Sequence, residues 1–281
     1  MRIRLGPAGV PTVSVKRSTI DGIRTVAELG LDAMEVEFVR GVAMSLEGAE
    51  EAGRIADQLG VRLSVHAPYF INLCSQDRKV AEASKKRIVD SALRAERMGA
   101  VEVVVHPGYY GSLTPEQAYK LVKQRYGELS DELKAKGVKV AEVAFETTGK
   151  VSQFGTLEEL VSLSKETGCL ICVDFAHIYA RQAGKVDYAE VFDGLKPLKP
   201  KHLHAHFSGI EWTQAKRGEG GNEKNHLEIK CEKPSFKALA AEILRRKIDV
   251  TIISESPILE QDSLAMKKIL AGLGYDFSSP I

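Results

Sequence analysis

Short apolar runs alternate with longer amphipathic segments along this chain. The apolar runs end at glycine, proline or a polar side chain, which is typical of buried β-strands. Strands are predicted at 2–6, 33–38, 62–66, 101–106, 138–146, 169–174, 201–207 and 249–255. Between the strands, apolar residues recur at helical spacing, which predicts helices at 19–29, 45–59, 78–98, 115–136, from 157 onward, near 187–195, at 235–246 and at 261–273.

Local end signals support several of these helices. Thr114 is a capping residue followed by Pro115 at the first helical position, and Thr156 with Glu159 has the spacing of a capping box. The segment 209–233 is rich in glycine and charge, so we predict a long loop there. Long loops in compact domains are usually functional.

Eight strands alternating with helices in 281 residues indicate one domain, residues 1–281, folded as a (β/α)₈ or TIM barrel. A doubly wound open sheet is the alternative. Such sheets often carry a phosphate-binding glycine loop after the first strand, but the first strand here ends in GPAG at residues 6–9, which is not GxGxxG. We therefore expect no dinucleotide cofactor.

Most of the predicted strands end in a side chain that can bind a metal ion. In a TIM barrel the C-terminal ends of the strands meet at one mouth, so these side chains would converge. All seven histidines lie at or next to a strand end or on the 209–233 loop. The candidate ligands are His66, His106, Glu146, Asp174, His177, His204 or His206, His226 and Glu255.

Buried carboxylates at one mouth require cations, and a divalent metal centre meets that need. Imidazole and carboxylate ligands without thiolate suit zinc, with manganese or iron as alternatives. The ligands outnumber the roughly four that one zinc ion takes, so we expect at least two ions. Two ions bridged by a carboxylate form the kind of centre that hydrolyses phosphodiesters.

Composition narrows the class of partner. Lysine and arginine number 39 and aspartate and glutamate 38, so any surface for a polyanion must be a local patch. No apolar run of about 18 residues and no signal-peptide pattern occurs, so we expect a cytoplasmic protein without a membrane span. The four cysteines are expected to be reduced and mostly buried. We expect a monomer.

The chain resembles the endonuclease IV family (AP endonuclease family 2), zinc-dependent apurinic/apyrimidinic endonucleases with a xylose-isomerase-like TIM barrel. The resemblance extends from the third strand to the eighth. The most specific segment is HAPYFINL at 66–73. The other similar segments are VVVHPG, FETTGK, VDFAH and ISESP, with HFSG and the pair Asn225-His226 as looser matches.

The resemblance implies roles for individual residues. His66 and His106 would hold one zinc ion, and Glu146 would bridge to a second ion and act as the catalytic residue. Asp174, His206 and Glu255 would complete the second site, and His177 and His226 would belong to a third. Abasic duplex DNA would be the substrate, contacted by Arg40, Tyr69 and Asn72.

One departure from the family pattern concerns the third ion. The family places an aspartate two residues before its last histidine, where this chain has Lys224. The lysine would repel a cation and could contact a phosphate oxygen instead. Glu223 could serve only if the chain shifts by one residue. We therefore expect two zinc ions and a third that is weak or absent.

Two other functions remain open. A metal-dependent sugar isomerase or epimerase of the same barrel group also gathers such ligands, and the near-zero net charge favours a small substrate. A metal-dependent hydrolase of a non-nucleic substrate is the third possibility. HAPYFINL and the basic pair Lys216-Arg217 favour DNA.

Overall fold

The computed structural model describes residues 1–139, 142–216 and 218–278. The strands are β1 Ile3–Pro7, β2 Ala33–Glu37, β3 Arg62–His66, β4 Glu102–Val105, β5 Gly108–Tyr109, β6 Glu142–Glu146, β7 Gln153–Phe154, β8 Leu170–Asp174, β9 Leu203–Phe207, β10 Gly209–Gln214, β11 Gly221–Leu227 and β12 Val250–Ser254. The helices are α1 Thr19–Glu28, α2 Leu46–Leu59, α3 Arg78–Met98, α4 Pro115–Ala135, α5 Leu157–Thr167, α6 Phe175–Arg181, α7 Tyr188–Leu195, α8 Phe236–Arg246 and α9 Glu260–Gly272.

The predicted barrel is confirmed. Within the described residues, eight parallel strands pair in the order β1-β12-β9-β8-β6-β4-β3-β2. The two ends of this order meet through a parallel bridge between Ala8 and Glu35, where the Gly9 amide donates to the Glu35 carbonyl oxygen at 2.8 Å. The sheet is therefore a nearly closed barrel, and its strands all end at the same mouth.

Helix ends follow the predicted signals. Thr114 and Thr156 both form capping boxes, with Gln117 and Glu159 respectively. Gly60 and Gly99 end α2 and α3 in the left-handed conformation, which glycine adopts without steric cost. Among the described residues, no helix has the length and apolarity to cross a membrane.

The prediction of a long loop over 209–233 is wrong. Most of this segment is an antiparallel hairpin, β10 paired with β11, followed by a short 3₁₀ turn at Ile229–Cys231. The strands were not predicted because the sequence of this segment is mostly polar. In β10, Ile210 is the one large apolar side chain that is deeply buried, so there is no apolar alternation. The short helix α6 was also not predicted, and it begins directly after Asp174, whose carboxylate caps it.

Gly6 allows β1 to approach β2. A Cβ atom at this position would overlap the backbone carbonyl of Ala33. We expect Gly6→Ala to lower the free energy of unfolding by about 3 kcal/mol or more, because a strand would have to move. Gly127→Ala is the matched control, since Gly127 lies in α4 with open space around its Cα and should gain about 0.5–1 kcal/mol. Denaturant melts compare the two variants, and equal stabilities would contradict the close approach.

Candidate metal centre

The predicted strand-end residues do converge at the barrel mouth. Glu146 ends β6 and lies at the middle of the cluster, fully buried. Its Oε2 lies 2.6 Å from His106 Nε2 and 3.2 Å from His66 Nε2. Its Oε1 lies 3.1 Å from His177 Nδ1 and 3.2 Å from His206 Nδ1. Each carboxylate oxygen thus faces its own pair of histidines, which is the arrangement a bridging ligand requires.

A second group of ligand atoms lies beside the first. Asp174 and Glu255 join Glu146 and His177 in a cluster whose ligand atoms all lie within 4.8 Å of one another. Asp174 Oδ1 accepts the His177 amide at 2.6 Å, while its Oδ2 is buried without a hydrogen-bond partner. Glu255 Oε2 is likewise buried and unpartnered. Buried polar atoms are rarely left in this state, so both oxygens are available to a cation.

The structure distinguishes His206 from its rival His204. Both side chains point into the barrel from β9, but they belong to successive layers. His206 Nδ1 faces the mouth, 3.2 Å from oxygens of both Glu146 and Glu255. His204 lies one layer deeper and bonds Glu35 Oε2 through its Nε2 at 2.9 Å. His206 is therefore the candidate ligand at the mouth.

In a third group, ligand atoms of His177, His226 and Glu255 lie within 4.8 Å of one another, and Glu223 adds a carboxylate beside His177. The β10–β11 hairpin contains a bulge between Glu211 and Trp212, so Trp212 pairs with Glu223 and Ile210 pairs with His226. Since Ile210 and Trp212 share a face of β10, Glu223 and His226 share a face of β11. Glu223 Oε2 lies 2.9 Å from His177 Nε2, without hydrogen-bond geometry.

The loop after β6 holds Glu223 in place. The Glu223 amide donates to the Gly149 carbonyl oxygen at 2.9 Å, and Lys150 Nζ lies 3.2 Å from Glu223 Oε1. A Cβ on residue 149 would overlap the Glu223 carboxylate, so this approach requires glycine. The FETTGK segment thus contains Glu146 and also the two residues, Gly149 and Lys150, that hold Glu223 in place.

The bulge turns Lys224 away from the centre. Lys224 is the extra residue of β11, and its Nζ bonds Glu211 Oε1 at 2.7 Å on the exposed side of the hairpin. The expectation that the lysine occupies the position of the missing carboxylate is therefore corrected. The one-residue shift that would bring Glu223 to His177 is present.

Hydrogen bonds to the Nδ1 atom set the orientation of three imidazoles. His66 Nδ1 bonds the Ala67 carbonyl oxygen at 2.7 Å, and His177 Nδ1 bonds that of Thr147 at 3.0 Å. His226 Nδ1 bonds Ser208 Oγ at 2.9 Å. In His66 and His177 the Nε2 atom then faces the carboxylates of the cluster, 3.2 Å from Glu146 Oε2 and 2.9 Å from Glu223 Oε2 respectively, which is how metal-binding histidines are usually arranged.

Two carboxylates on β2 were missed by the sequence analysis. Glu35 is fully buried below the mouth, and Glu37 ends the strand with its Oε1 buried and unpartnered. Burial raises the pKa of Glu37 to about 8. The available signal was the pair of glutamates at alternate positions within the apolar run AMEVEF, which places both on one face of the strand.

Charges within the cluster perturb one another strongly. Burial alone would raise the pKa of Glu146, but His106 and His206 outweigh it and hold the pKa well below its ordinary value. Conversely, burial would lower the pKa of His66, yet Glu37 and Glu146 raise it to about 10. A proton on His66 therefore balances part of the buried carboxylate charge when no ion is bound, and a divalent ion would replace it.

The residues expected to contact DNA lie around the mouth. Tyr69 is 54% exposed, with its ring centroid 5.7 Å from that of His66, and Arg40 is exposed on the loop after β2. Asn72 has a local role: its Oδ1 accepts the amides of Cys74 at 3.0 Å and Tyr109 at 3.2 Å, which shapes the loop. Arg217 lies outside the described residues.

The cysteines are free thiols, as expected. Cys74, Cys169 and Cys172 are buried, and Cys231 is partly exposed. Cys169 directly precedes β8 and Cys172 lies within it, so the pair does not form a knuckle or a redox turn.

The donor set fits divalent metal ions. Buried carboxylate oxygens of Asp174, Glu223 and Glu255 lack hydrogen-bond partners and lie among imidazole nitrogens. Oxygen and imidazole ligands in this number suit zinc or manganese. The cluster can therefore hold a metal.

Sequence comparison gives two kinds of relative. An uncharacterized protein of Methanocaldococcus jannaschii is 33% identical over 271 residues, covering 94% of this chain and 95% of that protein. A probable endonuclease 4 of Acholeplasma laidlawii is 28% identical over 139 residues, covering 46% of each chain. This chain therefore matches about half the length of that endonuclease.

Solved structures share the barrel. Endonuclease IV from Thermus thermophilus superposes with a TM-score of 0.69 and 22% identity, covering 95% of this chain and 98% of that one. A D-tagatose 3-epimerase-like protein superposes with a TM-score of 0.68 and 20% identity, covering 97% and 96%. Residues 23–271 match the family described as xylose isomerase-like TIM barrel. Because this match extends over nearly the whole observed barrel, the chain belongs to the xylose isomerase-like TIM-barrel family.

Proposed function

We propose that this protein is a zinc-dependent phosphodiesterase that hydrolyses the DNA backbone 5′ to abasic sites. The match to probable endonuclease 4 proteins supports the substrate class. The observation that carries the proposal is the number of ligands: histidine and carboxylate atoms form several overlapping groups at and beside Glu146. One ion would leave most of these buried groups uncompensated.

Each group would hold one ion. His66 and His106 share the first with Glu146. Asp174, His206 and Glu255 share the second with Glu146. His177 and His226 would hold the third, with Glu223 close to His177. When bound, such ions supply Lewis-acid activation of the phosphodiester and of the attacking water.

The protein's own residues would hold and orient the substrate. Glu146 keeps the first two groups in register, because one carboxylate reaches both. The exposed ring of Tyr69 offers an apolar face beside His66, which suits contact with the sugar of a nucleotide that lacks a base. Arg40 and Lys216 are exposed cations that would contact phosphates.

A nicking assay tests the proposal directly. Protein reconstituted with Zn²⁺ is incubated with a duplex oligonucleotide containing one abasic site, and with a panel of ketoses and aldoses. We expect incision 5′ to the abasic site and no sugar interconversion. Sugar interconversion without incision would replace the proposal with the epimerase function.

Tyr69→Ala is expected to weaken binding of abasic duplex more than binding of undamaged duplex, because the ring would contact the lesion. Leu59→Ala is a control, since Leu59 is also exposed but lies at the end of α2. Fluorescence anisotropy at several salt concentrations measures both affinities. For each phosphate contact, the association constant should fall by about 0.9 log units per tenfold rise in salt concentration. An equal loss for both duplexes would show that Tyr69 serves packing alone.

A sugar isomerase or epimerase remains the second candidate. The cluster of Glu146, Asp174, His177 and Glu255 contains paired carboxylates that could move a proton on a small substrate. Lys224 forms a salt bridge with Glu211, so fewer unpaired basic side chains lie near the barrel mouth for DNA than the sequence indicated. The sugar panel in the nicking assay decides between the two candidates.

A further inference from the structure

A buried carboxylate on β2 lies directly beneath the metal centre. Glu35 is 0% exposed, and its two oxygens face different partners. Its Oε1 lies 2.9 Å from His206 Nε2, a close contact without hydrogen-bond geometry in which neither atom has another partner. Its Oε2 forms a hydrogen bond with His204 Nε2 at 2.9 Å. Ser64 Oγ on β3 donates to Oε2 at 2.7 Å. The carboxylate thus connects β2, β3 and β9 inside the barrel.

The two nitrogens of His206 face opposite ways. Nδ1 points up toward Glu146 and Glu255, where the second group of ligands lies. Nε2 points down toward Glu35. The ring is fully buried, so water cannot replace either partner. The side of His206 that meets a metal ion therefore depends on what holds the opposite side.

We propose that Glu35 is a positioning residue: it holds His206 through Nε2 so that Nδ1 is presented to a metal ion, with His204 and Ser64 fixing the carboxylate from below. This inference rests on the proposed metal centre but not on DNA as its substrate. Any metal-dependent reaction at this mouth would depend on it.

Two physical effects follow from this arrangement. First, a carboxylate on Nε2 keeps the proton on that nitrogen, so Nδ1 carries the free lone pair that a metal requires. Second, the negative charge makes the imidazole a stronger donor, and partners of this kind typically contribute about 10–100-fold in metal affinity.

His204 and Ser64 explain why the carboxylate stays in place. A buried carboxylate with only one neutral partner would be costly, whereas Glu35 has contacts with two histidines and a hydroxyl. These contacts hold the carboxylate between β2, β3 and β9.

The test measures metal affinity in variants, by competition with a chromophoric chelator for Zn²⁺. Glu35→Gln keeps the size of the side chain and removes its charge, and we expect affinity to fall about 10–100-fold. Glu35→Asp retains the charge with a shorter reach and should recover part of the loss. Glu102→Gln is the matched control, because Glu102 is also buried on a barrel strand but belongs to none of the ligand groups.

A second measurement separates positioning from folding. Thermal melts in excess chelator should show similar apo stabilities for Glu35→Gln and Glu102→Gln. NMR of ¹⁵N-histidine-labelled protein loaded with Zn²⁺ should show a change of tautomer at His206 only in Glu35→Gln. If Glu35→Gln does not fold, the same measurements are made on Glu35→Asp and His204→Gln. Each of these variants should lower the affinity for Zn²⁺ and change the tautomer of His206.

Three outcomes would overturn the inference. These are wild-type affinity in the Glu35 variants, an equal loss in Glu102→Gln, or loss of one whole ion with the remaining affinities unchanged. The last would make Glu35 a ligand of its own ion. Because no readout uses DNA, absence of abasic-site incision by the wild type would reject the proposed substrate and leave this inference standing.

Discussion

Replacing Glu146 with glutamine is expected to remove nearly all of the proposed hydrolytic activity while the barrel remains folded. One oxygen of Glu146 faces His66 and His106, and the other faces His177 and His206. The amide is neutral and presents a donor on one side, so it cannot serve both groups. We expect activity to fall by about 10²–10³-fold or more, as when a principal electrostatic group is removed from an active site.

The control for this variant is Glu142→Gln, which changes an exposed residue at the other end of the same strand. Metal content after reconstitution and circular dichroism accompany the nicking assay. Near wild-type turnover of Glu146→Gln in chelator-free buffer would contradict a bridging role. Metal content of one ion or fewer per wild-type chain would contradict the multi-metal centre itself.

Glu223→Gln is expected to lower metal content by about one ion per chain, because the third group would lose its carboxylate. Glu223 Oε2 is buried beside His177 and has no hydrogen bond of its own, whereas Oε1 lies 3.2 Å from Lys150 Nζ. We also expect a loss of abasic-site cleavage. Elemental analysis after reconstitution measures the ion count.

Lys224 provides the matched comparison one residue away. Lys224→Asp and Lys224→Gln should leave metal content unchanged, because the side chain points away from the centre and pairs with Glu211. An added ion in Lys224→Asp would show that the hairpin register differs in solution. An unchanged ion count in Glu223→Gln would remove Glu223 from the centre.

The barrel could be predicted because its signals are local. Strand lengths and capping residues act within a few residues, and Thr114 and Thr156 do in the structure what their positions indicate. The hairpin could not be predicted in this way. Its strands are polar because they lie over the mouth, so they lack the apolar alternation by which strands are found.

Much of the candidate centre was also visible in the sequence. A histidine or carboxylate at the end of a buried strand must face the mouth once the barrel closes, and this holds for His66, His106 and Glu146. Choosing between His204 and His206 was not possible, because both have the same inward parity on β9. The two residues differ only in the barrel layer in which the ring lies, and that difference is seen only in the tertiary structure.

The sequence by itself determined where each of the eight barrel strands ends and which chemical groups stand there. Tertiary structure decided which groups meet across the barrel. Glu35 and His204 are 169 residues apart and become partners only when β2 and β9 face each other inside the barrel. Glu223 replaces Lys224 at the centre because a bulge in the hairpin reverses the side-chain alternation. Both depend on register between distant strands, which local patterns along the chain do not encode.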